Sequence, residues 1–442
     1  MSEPGPARAR SPVESLTTFC CISSLNIQNF LNLLQRKGVA NFGVLVLGQA
    51  ATMITGLLTN VIWARYMPQE TFGGFKVVFN FVNIVGAFCL LGTGQAALMS
   101  ASQKMDGNLQ QIIRSKLLAN VGGAFLILLA SAYYAFWDQS SPGIALALVV
   151  TATFFPFYNI SDIWIGWLNG RSSFLKLSQS RVLTSAMPMV GLAGAALAGI
   201  IELWSIVLIY FVVLVVQNAI MISQIYSTRE NERKDPSIIS LGRHASVAML
   251  FGSLSGLDVV ILNHKFSANE VAVYAVAQVL PDLMKSLFSV CTQLFSPLIY
   301  AGKPLFDFWR EFRSNFMVIT AVFFVIGIIG FFILPKATTL LFSDIYIRSA
   351  EASKWLWLSI AVFGSSSYFG LALISTKRKL FIYASYIGYP VILILLYFLF
   401  SNYGVKGMVG ARILAGCVLC GFYCFSFWLM LKLPPRNESK SL

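Results

Sequence analysis

The chain has 442 residues, 57% of apolar type and only 11% charged, where soluble domains carry about a quarter, so a soluble globular protein is excluded. At roughly 20 residues per bilayer-spanning helix, this much apolar sequence provides for about twelve spans, which excludes a single-anchor enzyme. The excess of 32 Lys and Arg over 18 Asp and Glu belongs to loops flanking membrane helices rather than to a nucleic-acid surface, and no nucleic-acid partner is expected.

Residues 1–39 form a polar tail in which Ile27, Phe30, Leu31 and Leu34, at i, i+3, i+4 and i+7, predict a short amphipathic helix. Apolar segments then follow near 40–64, 74–99, 113–137, 143–168, 179–200 and 203–226. The polar stretch 227–243 separates them from a second set near 244–265, 271–299, 315–335, 354–375, 380–400 and 407–431, and 432–442 is a second tail. The expected organisation is two six-helix lobes, 40–226 and 244–431, joined by a cytoplasmic linker.

Orientation follows from the retention of Lys and Arg by cytoplasmic loops. With the N-terminus inside, the tails and inner loops hold 23 of the 32 basic residues, the outer loops 8 and the spans only Lys285. Both termini are therefore expected in the cytoplasm. The two halves also show a repeat offset by about 199 residues, LTNVIWARYMPQETFGGFK from Leu58 against LDVVILNHKFSANEVAVYA from Leu257. Each is an apolar helix end, a cationic residue, a polar turn and a small-x-aromatic restart.

Reactive constellations are poor. His244 and His264 fall on opposite sides of the membrane, so neither a His-based triad nor a two-His metal site assembles from them. Cys417, Cys420 and Cys424 share one helical face, where small apolar packing is the simpler reading. No metal, cofactor or nucleotide-driven chemistry is expected.

Polar groups inside spans are expensive and usually face protein or a water-filled cavity. In the eighth span Gln278, Asp282, Lys285, Ser289 and Gln293 recur at intervals of 4, 3, 4 and 4, a continuous polar stripe beside Pro281. Asp282 and Lys285 either neutralise each other or serve cargo. The first span has Gln49, Thr52, Thr55 and Thr59 with Gly56 and Asn60 adjacent, and the second has Asn80 and Asn83. Asp162 and Asp258 are single acids at membranous positions, candidates for ion coupling or for pairing with a neighbouring helix. Arg65, Lys76 and Lys265 flank the first loop of each half and suggest an outer cationic rim.

The stretches WARYMPQETFGGF (63–75), LGTGQAAL (91–98), WLNGRSSF (167–174), LDVVIL with SANEVAVYAVAQ (257–278), LFSDIYIRSAEASKWL (341–356) and YGVKGMVGARIL (403–414) resemble the polysaccharide flippases (Wzx-type) of the multidrug, oligosaccharidyl-lipid and polysaccharide exporter (MOP) superfamily. Where such proteins often carry an acid and a base around the turn after the second span, this chain has Leu90 and Met99 or Ser100, so that pair is not carried over. The resemblance implies an all-α, MATE-like membrane fold with a central cavity bordered by spans one, two, seven and eight. It also implies a bacterial inner-membrane transporter that flips a polyprenyl-diphosphate-linked oligosaccharide, such as an O-antigen or exopolysaccharide repeat unit, to the periplasmic leaflet. Membrane lipids, a polysaccharide polymerase and a chain-length regulator are the partners it implies. The alternatives are a cation-coupled multidrug exporter of the same fold, which Asp162 and Asp258 would suit, and a membrane polymerase or glycosyltransferase. The latter needs a sizeable outer loop, and the longest expected one, 336–353, is short.

Overall fold

A computed structural model describes residues 37–89, 92–137, 142–235, 238, 256–299, 305–364 and 388–432, and every extended element among them is an α-helix. The amphipathic segment expected at 27–34 lies outside the described residues, as do His244, the start of the seventh span and residues 365–387. In the first half the helices are α1 (Lys37–Tyr66), α2 (Gln69–Phe88), α3 (Thr93–Ser102), α4 (Asn108–Phe136), α5 (Pro142–Tyr158), α6 (Ser161–Gly170), α7 (Phe174–Leu197) and α8 (Leu203–Ser227). In the second they are α9 (Leu257–Lys265), α10 (Ala268–Ile299), α11 (Leu305–Phe342), α12 (Ile347–Phe363), α13 (Tyr389–Phe400) and α14 (Gly404–Lys432). Seven segments among the described residues are long and apolar enough to cross a membrane, and large apolar side chains such as Leu118, Phe125, Phe332 and Leu399 stand on the surface. That surface suits lipid and would be a liability in water.

The repeat seen in the sequence coincides with helix boundaries. α1 ends at Tyr66 and α9 at Lys265, while α2 begins at Gln69 and α10 at Ala268, both 199 positions apart (265 − 66 and 268 − 69). Within the first half α1 packs on α7, α3 on α6 and α4 on α5; within the second α11 packs on α12 and α13 on α14. The halves meet where α1 and α2 contact α9, α10 and α11. There a Cβ on Gly73 would overlap the carbonyl oxygen of Ala268, so only glycine lets α2 approach the start of α10 this closely.

Two expected spans are broken helices. The second divides into α2 and α3, and the fourth into α5 and α6 about Pro156 and Asn159. Backbone carbonyls freed inside a membrane must find donors, and side-chain amides supply them. Asn120 Nδ2 donates to the carbonyls of Pro156 (2.9 Å) and Asn159 (3.3 Å), and Asn218 Nδ2 to those of Phe157 (3.2 Å) and Tyr158 (2.8 Å). Trp164 Nε1 in turn donates to Asn218 Oδ1 at 3.0 Å. The ninth span exceeds its expected limits. α11 continues through Pro335 to Phe342 and α12 starts at Ile347, so the outer loop expected at 336–353 shrinks to a single 3₁₀ turn, Asp344–Tyr346. Lys336, Arg348 and Lys354 therefore stand on helices rather than in a loop.

At the opposite end the start of the linker is tied to the first half. Asp106, between α3 and α4, accepts Arg171 Nη2 through both carboxylate oxygens (2.6 and 2.7 Å) and the amide N–H of Glu230 (2.8 Å). Gly107 N–H donates to the Arg233 carbonyl at 2.9 Å. Asn108 exchanges hydrogen bonds with the Asp235 backbone at 3.0 and 3.1 Å. The loops after α3 and α6 and the stretch 230–235 thus share one end of the molecule.

Candidate functional site

Between the halves lies a cavity of about 350 Å³ bounded by α1, α2, α9 and α10. These belong to spans one, two, seven and eight. Gln49, Thr52, Gly56 and Asn60 line it from α1, Lys76, Phe79 and Asn80 from α2, Val259 from α9, and Gln278, Asp282, Leu283 and Ser286 from α10. Regular spacing on one face brings each set together: 49, 52, 56 and 60 recur at three and four residues, as do 275, 278, 279, 282 and 286 on α10.

Four polar side chains of α1 are bonded within their own helix, Thr52 and Asn60 on the cavity wall and Thr55 and Thr59 beside it. Thr52 Oγ1 donates to the Gly48 carbonyl (2.8 Å), Thr55 to Ala51 (2.7 Å), Thr59 to Thr55 (2.8 Å), and Asn60 Nδ2 to Gly56 (2.7 Å). A hydroxyl whose proton is spent on the i−4 carbonyl offers only lone pairs outward, so Thr52 and the amide oxygens of Gln49 and Asn60 give this wall acceptors, beside the amide donor of Gln49. One of those acceptors already has a partner, because Lys76 Nζ donates to Asn60 Oδ1 at 2.7 Å while its ammonium stands 5.2 Å from the Phe72 ring centroid. Asn80 Nδ2 closes onto the Lys76 carbonyl at 2.9 Å. On the facing wall Gln278 Nε2 is buried without a hydrogen-bond partner among the described residues, an unused donor beside Asp282.

Several sequence expectations change place. Lys76, expected on the outer rim, lies in the cavity wall. Lys285, expected as the cavity cation, is exposed but does not line the cavity, and no Asp282–Lys285 ion pair occurs among the described residues. On a helix Lys285 sits about 60° from Asp282, toward the edge of the lining face. Asn83 is likewise exposed and off the cavity lining. The side chains of Ser289 and Gln293 lie outside the described residues.

The other two rim cations are engaged elsewhere. Arg65 donates through Nε to the Leu341 carbonyl (2.6 Å) and through Nη2 to the Leu340 carbonyl. Lys265 Nζ donates to Ser401 Oγ (2.6 Å) and Asn402 Oδ1 (2.8 Å) within its own half.

Both candidate coupling acids are ion-paired. Asp258, wholly buried, accepts Arg412 Nη2 (2.7 Å) and Nε (3.0 Å) and the Tyr274 hydroxyl (2.6 Å), and Tyr397 Oη accepts from Arg412 Nε at 3.1 Å. Asp162 Oδ2 takes the wholly buried Lys116 Nζ at 3.2 Å and the Thr93 hydroxyl at 2.8 Å. Lys116 and Arg412, assigned to loops by the charge count, therefore stand inside helices with acids beside them. Sequence reasoning also passed over Asn120, Asn159 and Asn218. The available signal was an amide inside each of three apolar segments, lone in the third and fourth spans and beside Gln217 in the sixth, with Asn159 three residues after Pro156 of the fourth span.

Residues 39–300 match the family described as polysaccharide biosynthesis protein. The chain belongs to this family. Comparison with curated proteins finds no match. Among solved structures, the inward-facing form of a multidrug resistance MATE family transporter of the MOP superfamily superposes with a TM-score of 0.67 at 12% identity, covering 86% of this chain and 96% of that one. A MOP superfamily transporter from Pyrococcus furiosus gives 0.62 at 13%, covering 89% and 95%. The lipid II flippase MurJ, in an inward closed conformation, gives 0.59 at 15%, covering 86% and 87%. This member of the polysaccharide biosynthesis family is thus a multi-pass membrane protein with the MOP fold.

Proposed function

We propose that the protein flips a polyprenyl-diphosphate-linked oligosaccharide from the cytoplasmic to the periplasmic leaflet of a bacterial inner membrane by alternating access. The carrying observation is the cavity between the halves, with Lys76 held in its wall among Gln49, Thr52, Asn60, Asn80 and Gln278. A sugar head group needs hydrogen-bonding walls, and a diphosphate needs a cation in a site with few competing waters. Membership of the polysaccharide biosynthesis family and the likeness to a lipid II flippase support a lipid-linked glycan as cargo. A polymerase and a chain-length regulator would act on the product. Exit of a roughly doubly charged head group from a negative interior is favoured by about 4 to 5 kcal/mol per 100 mV across the full field.

The cation-coupled exporter reading is less well supported, because Asp162 and Asp258 each already hold a basic side chain. The test is surface glycan in a strain lacking the native gene, normalised to membrane abundance of the protein. Lys76→Ala should lower display at least tenfold and Lys76→Arg should retain part of it, whereas Lys285→Ala should lower it less than Lys76→Ala. Full display with Lys76→Ala would remove the cavity cation from the reading.

A further inference from the structure

Contacts crossing between the halves gather around the turns that follow α1 and α9. Arg65, one residue before the end of α1, reaches the Leu340 and Leu341 carbonyls in the last turn of α11. Helix C-terminal carbonyls lack intrahelical donors and favour a cation. The repeat offset of 199 carries position 65 to His264, one residue before the end of α9. His264 Nδ1 lies 3.4 Å from the Tyr133 hydroxyl on α4. The repeat mates therefore reach across in opposite directions, α1 to α11 and α9 to α4, onto the third spanning segment of the other half.

Between them the halves touch directly. Gln69 Nε2 is 3.5 Å from the Asn269 carbonyl, Asn263 Nδ2 is 3.3 Å from the Tyr134 hydroxyl, and Phe72 meets Tyr346 edge-on at 6.5 Å between centroids. Gly73 rests on Ala268. This layer lies at the end of the molecule opposite the linker clasp at Asp106.

We propose that Arg65 and His264 are reciprocal latches holding this end of the cavity shut, and that both release when the cavity opens there. The inference rests on the alternating-access reading of the fold but not on the identity of the cargo. Arg65 is exposed and its partners are backbone carbonyls, which water satisfies equally well once the halves part. The bonds therefore hold the closed arrangement without forbidding the open one. A cap that merely stabilised α11 would have no reason to be mirrored by His264 at the matching place in the other half.

The test uses the full chain with native cysteines replaced and one reporter, Asn80→Cys, in the cavity wall. It is labelled with a membrane-impermeant maleimide in right-side-out and in inverted vesicles. Arg65→Ala should speed labelling from the face bearing the α1–α2 turn at least threefold, and Arg65→Ala with His264→Ala further still, while labelling from the linker face falls. Unchanged rates from both faces at equal protein abundance overturn the proposal. If Arg65→Ala fails to reach the membrane, the pair Gln69→Cys and Asn269→Cys decides in a chain with both latches intact. With labelling read at the Asn80→Cys site alone, by mass spectrometry of its peptide, oxidation of the pair to a disulfide should abolish labelling from the turn face and reduction should restore it. Labelling of that site that persists through oxidation overturns the proposal. None of these readouts uses cargo, so a wrong substrate class would leave them unaffected and would show itself only in the glycan assay.

Discussion

At the scale of single residues, burial decides which charges are structural. Asp258 is wholly buried and accepts three hydrogen bonds from Arg412 and Tyr274. Removing one member of such a pair leaves an uncompensated charge and costs about 3 to 5 kcal/mol, while replacing both is often close to neutral. Arg412→Leu should therefore lower the thermal midpoint of the purified protein sharply, and Asp258→Leu with Arg412→Leu should recover most of the loss. Equal midpoints for the single and double replacements would mean that the pair does not couple.

The sequence located Asp258 and the eighth-span stripe through their cost in hydrocarbon. It did not reveal partners, because Arg412 lies 154 residues from Asp258 and only the fold brings them together. It misjudged Lys76 for a related reason. A cation near a helix end looks the same in sequence whether it snorkels to the interface or turns inward to an amide such as Asn60.

At the scale of helices, apolar length marked helix in the described part of each expected span, seven segments being long and apolar enough to cross a membrane, but it did not mark the breaks. Hydropathy averages over about 19 residues, so a break of two residues inside 143–168 leaves little mark on it. The break survives in the membrane because Asn120 and Asn218 satisfy four carbonyls between them. Asn218→Leu strands the Phe157 and Tyr158 carbonyls and Trp164 Nε1. At about 1 to 3 kcal/mol for each buried group left unpaired, a loss of several kcal/mol is expected at a position where hydropathy alone would forecast a gain. The exposed Asn83→Leu should stay within about 0.5 kcal/mol. Comparing the thermal midpoints of the two variants checks this, and similar small effects would show that the break carbonyls have other donors. The extension of α11 to Phe342 escaped notice for the opposite reason. Pro335 and Lys336 resemble a helix stop, yet Thr339 Oγ1 donates back to the Pro335 and Lys336 carbonyls at 3.3 and 3.0 Å, and the helix continues past them.

For the whole molecule, the repeat and the charge bias were legible because both are averages over many residues, which a misplaced boundary barely disturbs. Moving Lys116 and Arg412 from loops into helices takes one cation from each side of the count and leaves the asymmetry intact. The structure adds a grouping independent of charge. The loops after α3 and α6 are bonded to residues 230–235, whereas the turns after α1 and α9 meet the end of α11 and the turn at Ser401. Residues within each group must share one face of the membrane whichever way the chain is inserted. Single cysteines at Ser172 and Glu232 should therefore label together from one face, and those at Glu70 and Asn402 from the other. The basic excess in the first group's loops predicts that this face is the cytoplasmic one, and on that prediction an impermeant thiol reagent applied to intact cells should reach Glu70→Cys and Asn402→Cys but not Ser172→Cys or Glu232→Cys. The reverse pattern would preserve the fold and overturn the predicted orientation, and with it the proposed direction of transport. A mixed pattern within either pair would contradict the fold itself, since the hydrogen bonds between Asp106, Arg171 and Glu230 cannot span a bilayer.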